Sequence, residues 1–232
     1  MTDLAQAKAV PSPSIHSPSV SGSSMYGMYR PAMDRVLSYV VTRLEAANER
    51  TRNATGYSLY EHINVRIKAD DSMREKCERK GYSPTEHSAL KEVRDAIGIR
   101  VVTGFIDDIQ LVVDELRSMD GISIVEEKDY VFNAKPNGYR SYHVIASVND
   151  PDGTVPDCEG QIPGSYYVEV QIRTIAMDSW AALEHELKYK KGIKNQERIV
   201  AELKRCADEL ASCDMSMQTI RHLMNAKDNG AD

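Results

Sequence analysis

Apolar positions recur along the chain at two spacings, and each spacing indicates one kind of secondary structure. Val36, Val40 and Leu44 recur every four residues, which predicts a helix. Amphipathic patterns predict three more helices, and a charged segment that Asp70 or Asp71 can cap predicts a fifth. The predicted helices cover residues 31–50, 71–80, 107–119, 175–191 and 197–226.

Period-two alternation and β-branched runs predict the strands. Ile63, Val65 and Ile67 alternate with polar residues, so this strand has one apolar face and one polar face. The run DAIGIRVVTGF is apolar and β-branched, which predicts a central strand. The predicted strands cover residues 63–67, 95–105, 122–131, 141–148 and 166–174. The order of elements predicts an α/β (α+β) fold in which helices flank a mixed sheet.

The first thirty residues differ in composition from the rest of the chain. They are rich in Ser, Pro and Gly, and without apolar periodicity they cannot offset the entropy of ordering by burial. The 232 residues suffice for one well-buried domain with an appended helix. We therefore expect a disordered tail over residues 1–30, a folded domain over 31–194 and a C-terminal helix over 195–232. That helix has more apolar positions than one sheet face needs, which favours a role in oligomerisation.

Charge and composition exclude several classes of protein. The net charge of −6 argues against a general binder of duplex DNA, although it leaves room for a local basic pocket. No apolar run of about eighteen residues is present, so no membrane span is expected. The N-terminus has no secretory signal pattern. The four cysteines show no CxxC spacing, which favours free thiols and a cytoplasmic location.

The predicted strand over residues 166–174 is the most informative segment. Glu169, Gln171 and Arg173 share one face of it, opposite an apolar face. Such a polar face often turns to solvent, and this alternative stays open. A second strand follows Asp95 and carries Arg100 inside an apolar run, where an unpaired charge is costly. If the two strands are neighbours, Asp95 and Glu169 converge as the paired carboxylates that Mg²⁺ uses when it also binds phosphates.

A basic segment between residues 66 and 80 supplies groups for a polyphosphate. Arg66 and Lys68 share a face of a strand, and Ser72 and Lys76 share a face of a helix. Cationic and hydroxyl groups on one side suit a chain of phosphates. The alternative is a solvated charged helix, because acidic residues are interleaved with the basic ones.

The segment KPNGYRSYH, residues 135–143, places a glycine turn before an aromatic ring. Tyr139 is well placed to hold its ring over a pocket, where stacking of a nucleobase contributes about 1–3 kcal/mol. The alternative is a surface hairpin whose tyrosines pack on the sheet, and we prefer it for Tyr142. No Walker P-loop, GxGxxG or metal-binding histidine spacing is present, so any nucleotide is bound by another route.

These segments, in this order, resemble the synthetase domain of RelA/SpoT-type alarmone synthetases, and above all the stand-alone small alarmone synthetases. The resemblance covers roughly residues 55–192. The motifs that carry it are RIKADDS, DAIGIRVV, EEKDY, KPNGYRSYH, VEVQIRT and DSWAALEHELKYK. It implies a fold related to nucleotidyltransferases.

The resemblance also implies a role for each matched residue. Asp95 and Glu169 match two acidic residues that hold Mg²⁺ and help to activate the acceptor hydroxyl, and Tyr139 matches a tyrosine that stacks on guanine. The residues that match contacts to ATP are Arg66, Lys68, Ser72, Lys76 and Arg100. The residues that match contacts to the acceptor nucleotide are Lys128, Lys135, Tyr139, His143, Gln171 and Asp178.

Two departures from the family pattern concern the acceptor. Asp178 stands where some relatives carry Asn, which weakens its assignment to guanine selection. The segment EEKD, residues 126–129, departs from the RxKD pattern of the long bifunctional enzymes. The choice between GDP and GTP therefore stays open.

The activity that the resemblance implies is (p)ppGpp synthesis in the stringent response. The β,γ-pyrophosphate of ATP would pass to the 3′-hydroxyl of GDP or GTP, releasing AMP. One alternative is a toxin-like relative that pyrophosphorylates the 3′ end of tRNA, which the acidic net charge disfavours. Another is a catalytically silent nucleotide- or RNA-binding regulator, which the presence of Asp95, Glu169 and Tyr139 disfavours.

The resemblance implies two further properties. No His-Asp dipeptide is present and few residues precede residue 31, so we expect synthesis without hydrolysis. Small alarmone synthetases are commonly tetramers built through terminal helices, so we expect a homo-oligomer, most simply a tetramer. The resemblance also leaves room for regulation by single-stranded RNA.

Overall fold

In the part of the chain that the structure describes, five strands and five α-helices make up the fold. The computed structural model describes residues 24–189 and 195–228. The helices are α1 (Arg30–Thr55), α2 (Asp70–Arg79), α3 (Ile106–Ser118), α4 (Ile175–Tyr189) and α5 (Gln196–Asp228). The strands are β1 (His62–Ile67), β2 (Ile97–Thr103), β3 (Ile122–Asp129), β4 (Tyr142–Asn149) and β5 (Ser165–Thr174). A mixed sheet flanked by helices confirms the predicted fold class.

The strands form one sheet in the order β1-β2-β5-β4-β3. The pair β2 and β5 is parallel, and the other three pairs are antiparallel. The chain can form a parallel pair only by a crossover, which here passes through α3, β3 and β4. As a result β5, which carries the polar triplet noted in the sequence, lies at the centre of the sheet.

One face of the sheet is the hydrophobic core. Val168, Val170 and Ile172 of β5 are fully buried, and α1 and α3 contact this strand. The four-residue apolar spacing of α1 is confirmed, because Val36, Val40 and Leu44 belong to the same buried cluster. Fully burying a side chain of this kind contributes about 1.5–3 kcal/mol. With its apolar side covered, the sheet has one polar face left for a site.

The boundary of the predicted tail is wrong at its C-terminal end. Met25 and Tyr26 are buried, and the Tyr26 hydroxyl donates to the Lys68 carbonyl at 2.6 Å. A 3₁₀ turn over Gly27–Tyr29 leads directly into α1. Residues 1–23, which make up the rest of that prediction, lie outside the described residues. Aromatic burial against a distant loop is a tertiary contact that local composition does not reveal.

Several element boundaries also differ from the pattern. The strand expected over residues 95–105 begins only at Ile97, so Asp95 lies in the loop that precedes it. A π-helical turn over Ser88–Glu92 was not predicted. The helix end expected at Gly192 lies outside the described residues.

The four cysteines are free thiols. Within the described ranges, no helix is long and apolar enough to cross a membrane.

Helix α5 packs on the domain through polar as well as apolar contacts. The Trp180 indole donates to the Leu203 carbonyl at 2.8 Å, and Thr174 at the end of β5 donates to Asp214 at 2.6 Å. Arg221 pairs with the buried Asp108 at 2.7 Å. The helix also carries exposed apolar side chains, which are Val200, Met215, Met217, Ile220, Leu223 and Met224. Oligomerisation through this surface stays a prediction.

Candidate active site

Six of the predicted site residues lie on the polar face of the sheet, in two adjacent rungs, that is, rows of residues paired across neighbouring strands. Register places Glu169 beside Gly98 on one side and Ile145 on the other, and it places Gln171 between Arg100 and His143. The first rung runs Arg66, Gly98, Glu169, Ile145, Glu126. The second runs Asn64, Arg100, Gln171, His143, Lys128. Residues two apart share a face, so both rungs present their side chains to the same side.

A cavity of about 250 Å³ lies at the β1–β2 end of these rungs, and we call it the arginine cavity. Its lining residues are Asn64, Val65, Arg66, Gly98, Ile99, Arg100, Glu169 and Gln171. The stem of Arg66 crosses Gly98, where a Cβ would lie 3.5 Å from Arg66 Cγ. Arg100 Nε is buried without a hydrogen-bond partner among the residues the structure describes. The cavity thus combines two guanidinium groups, one with an unused donor, with apolar walls.

A second cavity of about 400 Å³ lies on the other side of Glu169, and we call it the carboxylate cavity. Its lining residues are Lys76, Lys80, Tyr82, Glu92, Arg94, Asp95, Glu126, Lys128, Ile145 and Glu169. Glu169 lines both cavities. The structure therefore brings Asp95 and Glu169 together, in surroundings that hold four cationic side chains.

Asp95 is held by two lysines through a single oxygen. Lys68 Nζ lies 3.0 Å from Asp95 Oδ2, and Lys76 donates a shorter hydrogen bond to the same atom. Burial raises the pKa of Asp95, but the two ammonium groups outweigh it and hold the pKa below its ordinary value. Asp95 Oδ1 is buried and has no partner within the described part of the chain. An ionised carboxylate with one buried free oxygen is prepared to accept a cation.

Glu169 belongs to a closed ring of hydrogen bonds on the same face. Glu169 Oε1 lies 3.3 Å from His143 Nδ1, and Glu169 Oε2 accepts from Gln171 at 3.0 Å. His143 Nε2 lies 2.8 Å from the Tyr139 hydroxyl. Arg173 closes the ring by donating to Tyr139 at 2.8 Å and to Gln171 Oε1 at 3.0 Å.

The ring keeps Glu169 ionised. Burial raises the pKa of Glu169, as does the nearby charge of Asp95. Two hydrogen bonds, from His143 and from Gln171, oppose these effects, as does the charge of the His143 imidazole when it is protonated. Together they outweigh burial and Asp95, so the pKa of Glu169 lies below its ordinary value. The carboxylate is therefore available at neutral pH as a base or a metal ligand.

Tyr139 stands on the glycine turn that the sequence indicated. Gly138 has a φ of 91°, and a Cβ at this position would lie 2.6 Å from Ala207 Cβ on α5, so only glycine fits. Lys135 Nζ lies 4.8 Å from the centroid of the Tyr139 ring and 4.5 Å from that of Tyr130. Tyr130 meets Tyr139 edge to face at 6.3 Å. The ring is thus held by a turn, a helix and a neighbouring aromatic.

The remaining predicted residues lie around this centre. Lys128 pairs with Glu126 at 2.8 Å at the edge of the carboxylate cavity. Asp178 Oδ1 accepts from Arg173 at 2.9 Å and lies 3.3 Å from Arg100 Nη1. Ser72 is exposed in the first turn of α2, one turn before Lys76. Their roles toward a nucleotide stay predictions.

Three residues at the site received no role from the sequence. Arg173 was placed on the polar face of its strand but received no role, although its position two residues after Gln171 was the available signal. Lys80 and Arg94 line the carboxylate cavity, and no local pattern distinguishes them from other surface cations.

Two carboxylates in the carboxylate cavity could hold a metal ion. Among residues 24–189 and 195–228 no cluster of three or more His, Cys, Asp or Glu side chains forms a metal site. Asp95 and Glu169 supply only two carboxylates. A pair of this kind, with one free buried oxygen, fits Mg²⁺, which commonly binds one or two carboxylates and takes its other ligands from water and substrate phosphates.

Comparison with known proteins identifies the family. A family model for a region found in RelA / SpoT proteins matches residues 65–194. The chain belongs to the RelA/SpoT family. The match includes every predicted site residue, and it confirms the resemblance seen in the sequence.

Individual members of the RelA/SpoT family resemble the chain over most of its length. GTP pyrophosphokinase YwaC of Bacillus subtilis is 37% identical over 168 residues, which cover 72% of this chain and 76% of that protein. Small alarmone synthetase 1 from Bacillus subtilis, solved with its product pppGpp, aligns with a TM-score of 0.70 and 29% identity, over 84% of this chain and 94% of that one. The same enzyme bound to AMPCPP aligns with a TM-score of 0.66 and 26% identity, over 84% and 95% of the two chains.

Proposed function

We propose that this RelA/SpoT family member is a (p)ppGpp synthetase, a GTP diphosphokinase that moves the β,γ-pyrophosphate of ATP to the 3′-hydroxyl of GDP or GTP. The relatives support this reading by name, and one of them was solved with pppGpp as its product. The observation that carries the proposal is the position of Glu169, which lines both cavities and so can reach a ligand in each of them.

We assign ATP to the β1–β2 side of the site. The arginine cavity offers the planar guanidinium groups of Arg66 and Arg100, which suit stacking on a nucleobase. Lys68 and Lys76, which contact Asp95, would hold the phosphates, and Ser72 adds a hydroxyl one turn before Lys76. The family resemblance assigned Arg66 to the phosphates of ATP, whereas we place it on the nucleobase.

We assign the guanosine nucleotide to the Tyr139 side. Guanine stacks on the Tyr139 ring. Between that ring and the arginine cavity lie Gln171, which accepts from Arg173, and Asp178, which pairs with Arg100. Lys135 stands over the same ring, and Lys128 and His143 lie on one rung beside it. The two lysines and the imidazole serve the acceptor's phosphates. The Lys128–Glu126 pair at the cavity edge is where a choice between GDP and GTP would be made.

Mg²⁺ fits this site on Asp95 and Glu169, with the unpartnered Asp95 Oδ1 as the free ligand atom. When bound, it neutralises charge on the transferred phosphates. Lys68 and Lys76 fix the orientation of Asp95 through its other oxygen.

The transfer itself needs alignment and proton removal. The bond from the 3′-oxygen to Pβ forms, the bond from Pβ to the oxygen bridging Pα breaks, and that oxygen leaves with AMP. Glu169 accepts the proton of the 3′-hydroxyl, since its carboxylate is ionised and lies between the two ligands. Tyr139 and the basic residues hold the two nucleotides in line, which for phosphoryl transfer supplies most of the catalysis.

The experiment that tests the function is a product assay. The purified full chain is incubated with ATP and Mg²⁺ together with GDP, GTP or tRNA, and the nucleotides are separated. We expect AMP together with ppGpp or pppGpp. Label on tRNA alone would support the tRNA-modifying alternative, and no product with any acceptor would support the silent regulator. Incubation with ppGpp alone tests the expected absence of hydrolysis, which release of pyrophosphate would contradict.

Replacing the stacking ring should affect the acceptor more than the donor. We expect Tyr139→Ala to raise KM for GDP or GTP about tenfold or more, because base stacking contributes about 1–3 kcal/mol. KM for ATP should change little. Initial rates with each substrate varied in turn measure both constants. An unchanged acceptor KM would refute the stacking role.

Three further properties belong to this proposal. The substrates are cytoplasmic metabolites, so we place the enzyme in the cytoplasm. We propose a homotetramer that uses the exposed apolar residues of α5, and light scattering at micromolar concentration tests its mass. Regulation by single-stranded RNA is tested by adding oligonucleotides to the product assay.

A further inference from the structure

Arg173 occupies an unusual place beside the site. It is the penultimate residue of β5, 5% exposed, and it is absent from the lining of both cavities. It therefore offers almost no surface to a nucleotide. Taking a charged side chain out of water costs several kcal/mol, so a buried arginine needs a compensating set of contacts.

Its guanidinium contacts four side chains. Nη1 donates to Asp178 at 2.9 Å, and Nε donates to Ser141 at 3.4 Å. Nη2 donates to both Tyr139 and Gln171, at 2.8 and 3.0 Å. Cζ lies 5.1 Å from the centroid of the Tyr139 ring, which adds a cation–π contact. The two contacts of Nη2 reach groups that are themselves bound to other site residues.

The direction of these hydrogen bonds follows from the chemistry of arginine. A guanidinium only donates, so the Tyr139 oxygen accepts from it, and the tyrosine proton is left for His143 Nε2. A neutral imidazole that accepts there carries its own proton on Nδ1, which faces Glu169 Oε1. Through Tyr139 and His143, Arg173 therefore orients the group that faces Oε1 of Glu169.

The second route passes through Gln171. Its Oε1 accepts from Arg173, which fixes the orientation of the amide. The amide nitrogen then donates to Glu169 Oε2 at 3.0 Å. Two chains of donors thus start at one guanidinium nitrogen and end on the two oxygens of Glu169. The first of them passes through the ring on which the acceptor base stacks.

A simpler role for Arg173 is charge balance, since Asp178 is its partner and is mostly buried. That role requires a positive charge beside Asp178 but does not require the contacts of Nη2. A lysine would meet it. The fork in which Nη1 reaches Asp178 while Nη2 reaches both Tyr139 and Gln171 requires a planar guanidinium.

We propose that Arg173 is a positioning residue for pyrophosphate transfer, which sets Tyr139 and Glu169 in one fixed arrangement through Tyr139–His143 and through Gln171. The inference rests on the proposed function, because it concerns the geometry between the acceptor's guanine and the group that takes its 3′-proton.

The first test compares Arg173→Met, Arg173→Lys and Arg35→Met. Arg35 is a matched control, because it also pairs with a buried carboxylate, that of Asp150, but lies on α1. We expect Arg173→Met to lower kcat about 100-fold, as for a misplaced catalytic group, and to raise the acceptor KM, with KM for ATP within about twofold. Arg35→Met should lower Tm without changing these constants.

The lysine variant separates positioning from charge balance. Arg173→Lys keeps the charge beside Asp178, so it also keeps the test open if the methionine variant does not fold. We expect it to recover Tm but to stay at least about tenfold low in kcat, because one ammonium cannot reproduce the fork. Full recovery of kcat by lysine would overturn the inference.

A double-mutant cycle then tests the route through Tyr139. Tyr139→Phe keeps the stacking ring and removes the hydroxyl that joins Arg173 to His143. If Arg173 acts partly through that hydroxyl, Arg173→Met should lower kcat less in the Tyr139→Phe background than in the wild type. We expect the two fold-losses in kcat to differ by a factor of at least about five. Additive losses would overturn the inference while leaving the function intact. Absence of ppGpp or pppGpp synthesis by the wild type would overturn both.

Discussion

Glu169→Gln is expected to reduce (p)ppGpp synthesis by at least about 10³-fold, which is about 4 kcal/mol in the activation barrier. The amide keeps the size of the carboxylate and its hydrogen bond from His143, so the fold and the arginine cavity persist. What the variant loses is the negative charge that, under the proposed function, would accept the 3′-proton and bind Mg²⁺. Product formation at saturating ATP and GDP measures the loss. Binding of AMPCPP by calorimetry should remain within a few-fold of the wild type.

Glu127→Gln is the matched control for this variant. Glu127 lies on the same sheet, accepts hydrogen bonds from Tyr142 and Arg117, and has a pKa below its ordinary value, because these bonds outweigh its burial. Register places it on the face opposite Lys128, away from both cavities. The Glu127→Gln variant should therefore synthesise (p)ppGpp at close to the wild-type rate. Wild-type activity in Glu169→Gln would reject the catalytic assignment.

Asp95→Asn is the variant with the second largest expected effect. We expect kcat to fall at least about 100-fold and the Mg²⁺ concentration for half-maximal activity to rise about tenfold or more, because a neutral amide is a poor ligand for a hard cation. Lys68 and Lys76 lose their carboxylate partner and remain free for phosphates. Metal-free binding of AMPCPP should therefore not weaken.

The rate as a function of Mg²⁺ concentration measures this effect directly. Asp71→Asn is the control, since Asp71 is an exposed carboxylate in the first turn of α2, near Lys68 and Lys76 in the chain. Loss of its favourable interaction with the helix N-terminus costs about 0.3–1 kcal/mol of stability and no activity. A wild-type Mg²⁺ dependence in Asp95→Asn would exclude Asp95 as a metal ligand.

Local patterns were sufficient to predict the five strands and five α-helices that the structure describes, although not all of their boundaries, and to predict which side chains of the central strand share a face. The alternation in β5 placed Glu169 and Gln171 on one face because successive side chains in a strand point to opposite sides. The four-residue spacing in α1 predicted its buried stripe for the same geometric reason. Both patterns are local, so they can be read without knowing which strands are neighbours.

The position of Asp95 shows where local pattern fails. The sequence placed it at the start of a strand, whereas it lies in the loop before β2, with Lys68 and Lys76 on one oxygen. Those lysines come from two separate elements. Strand ends depend on where the ladder of hydrogen bonds stops, and that is decided by the neighbouring strands rather than by local preference.

Arg173 shows the same limit at the level of a single side chain. In the sequence it is one more polar residue on a strand with a polar face. Its role depends on Tyr139 and Asp178, which lie 34 and 5 positions away and reach it only when the sheet has formed. The burial of Tyr26 on the loop after β1 is a third case, and it moved the start of the folded domain.

By itself, the sequence determined the fold class, the polar face of β5, the turn that carries Tyr139 and the family to which these motifs belong. Each of these depends on short periods or on motifs that are contiguous in the chain. Only the tertiary structure decided that Glu169 lines two cavities, that one oxygen of Asp95 is left without a partner, and that a ring of hydrogen bonds joins Arg173 to Glu169. Those facts depend on strand order and on contacts between distant residues, which arise when the parallel pair β2 and β5 brings the two carboxylates to one face.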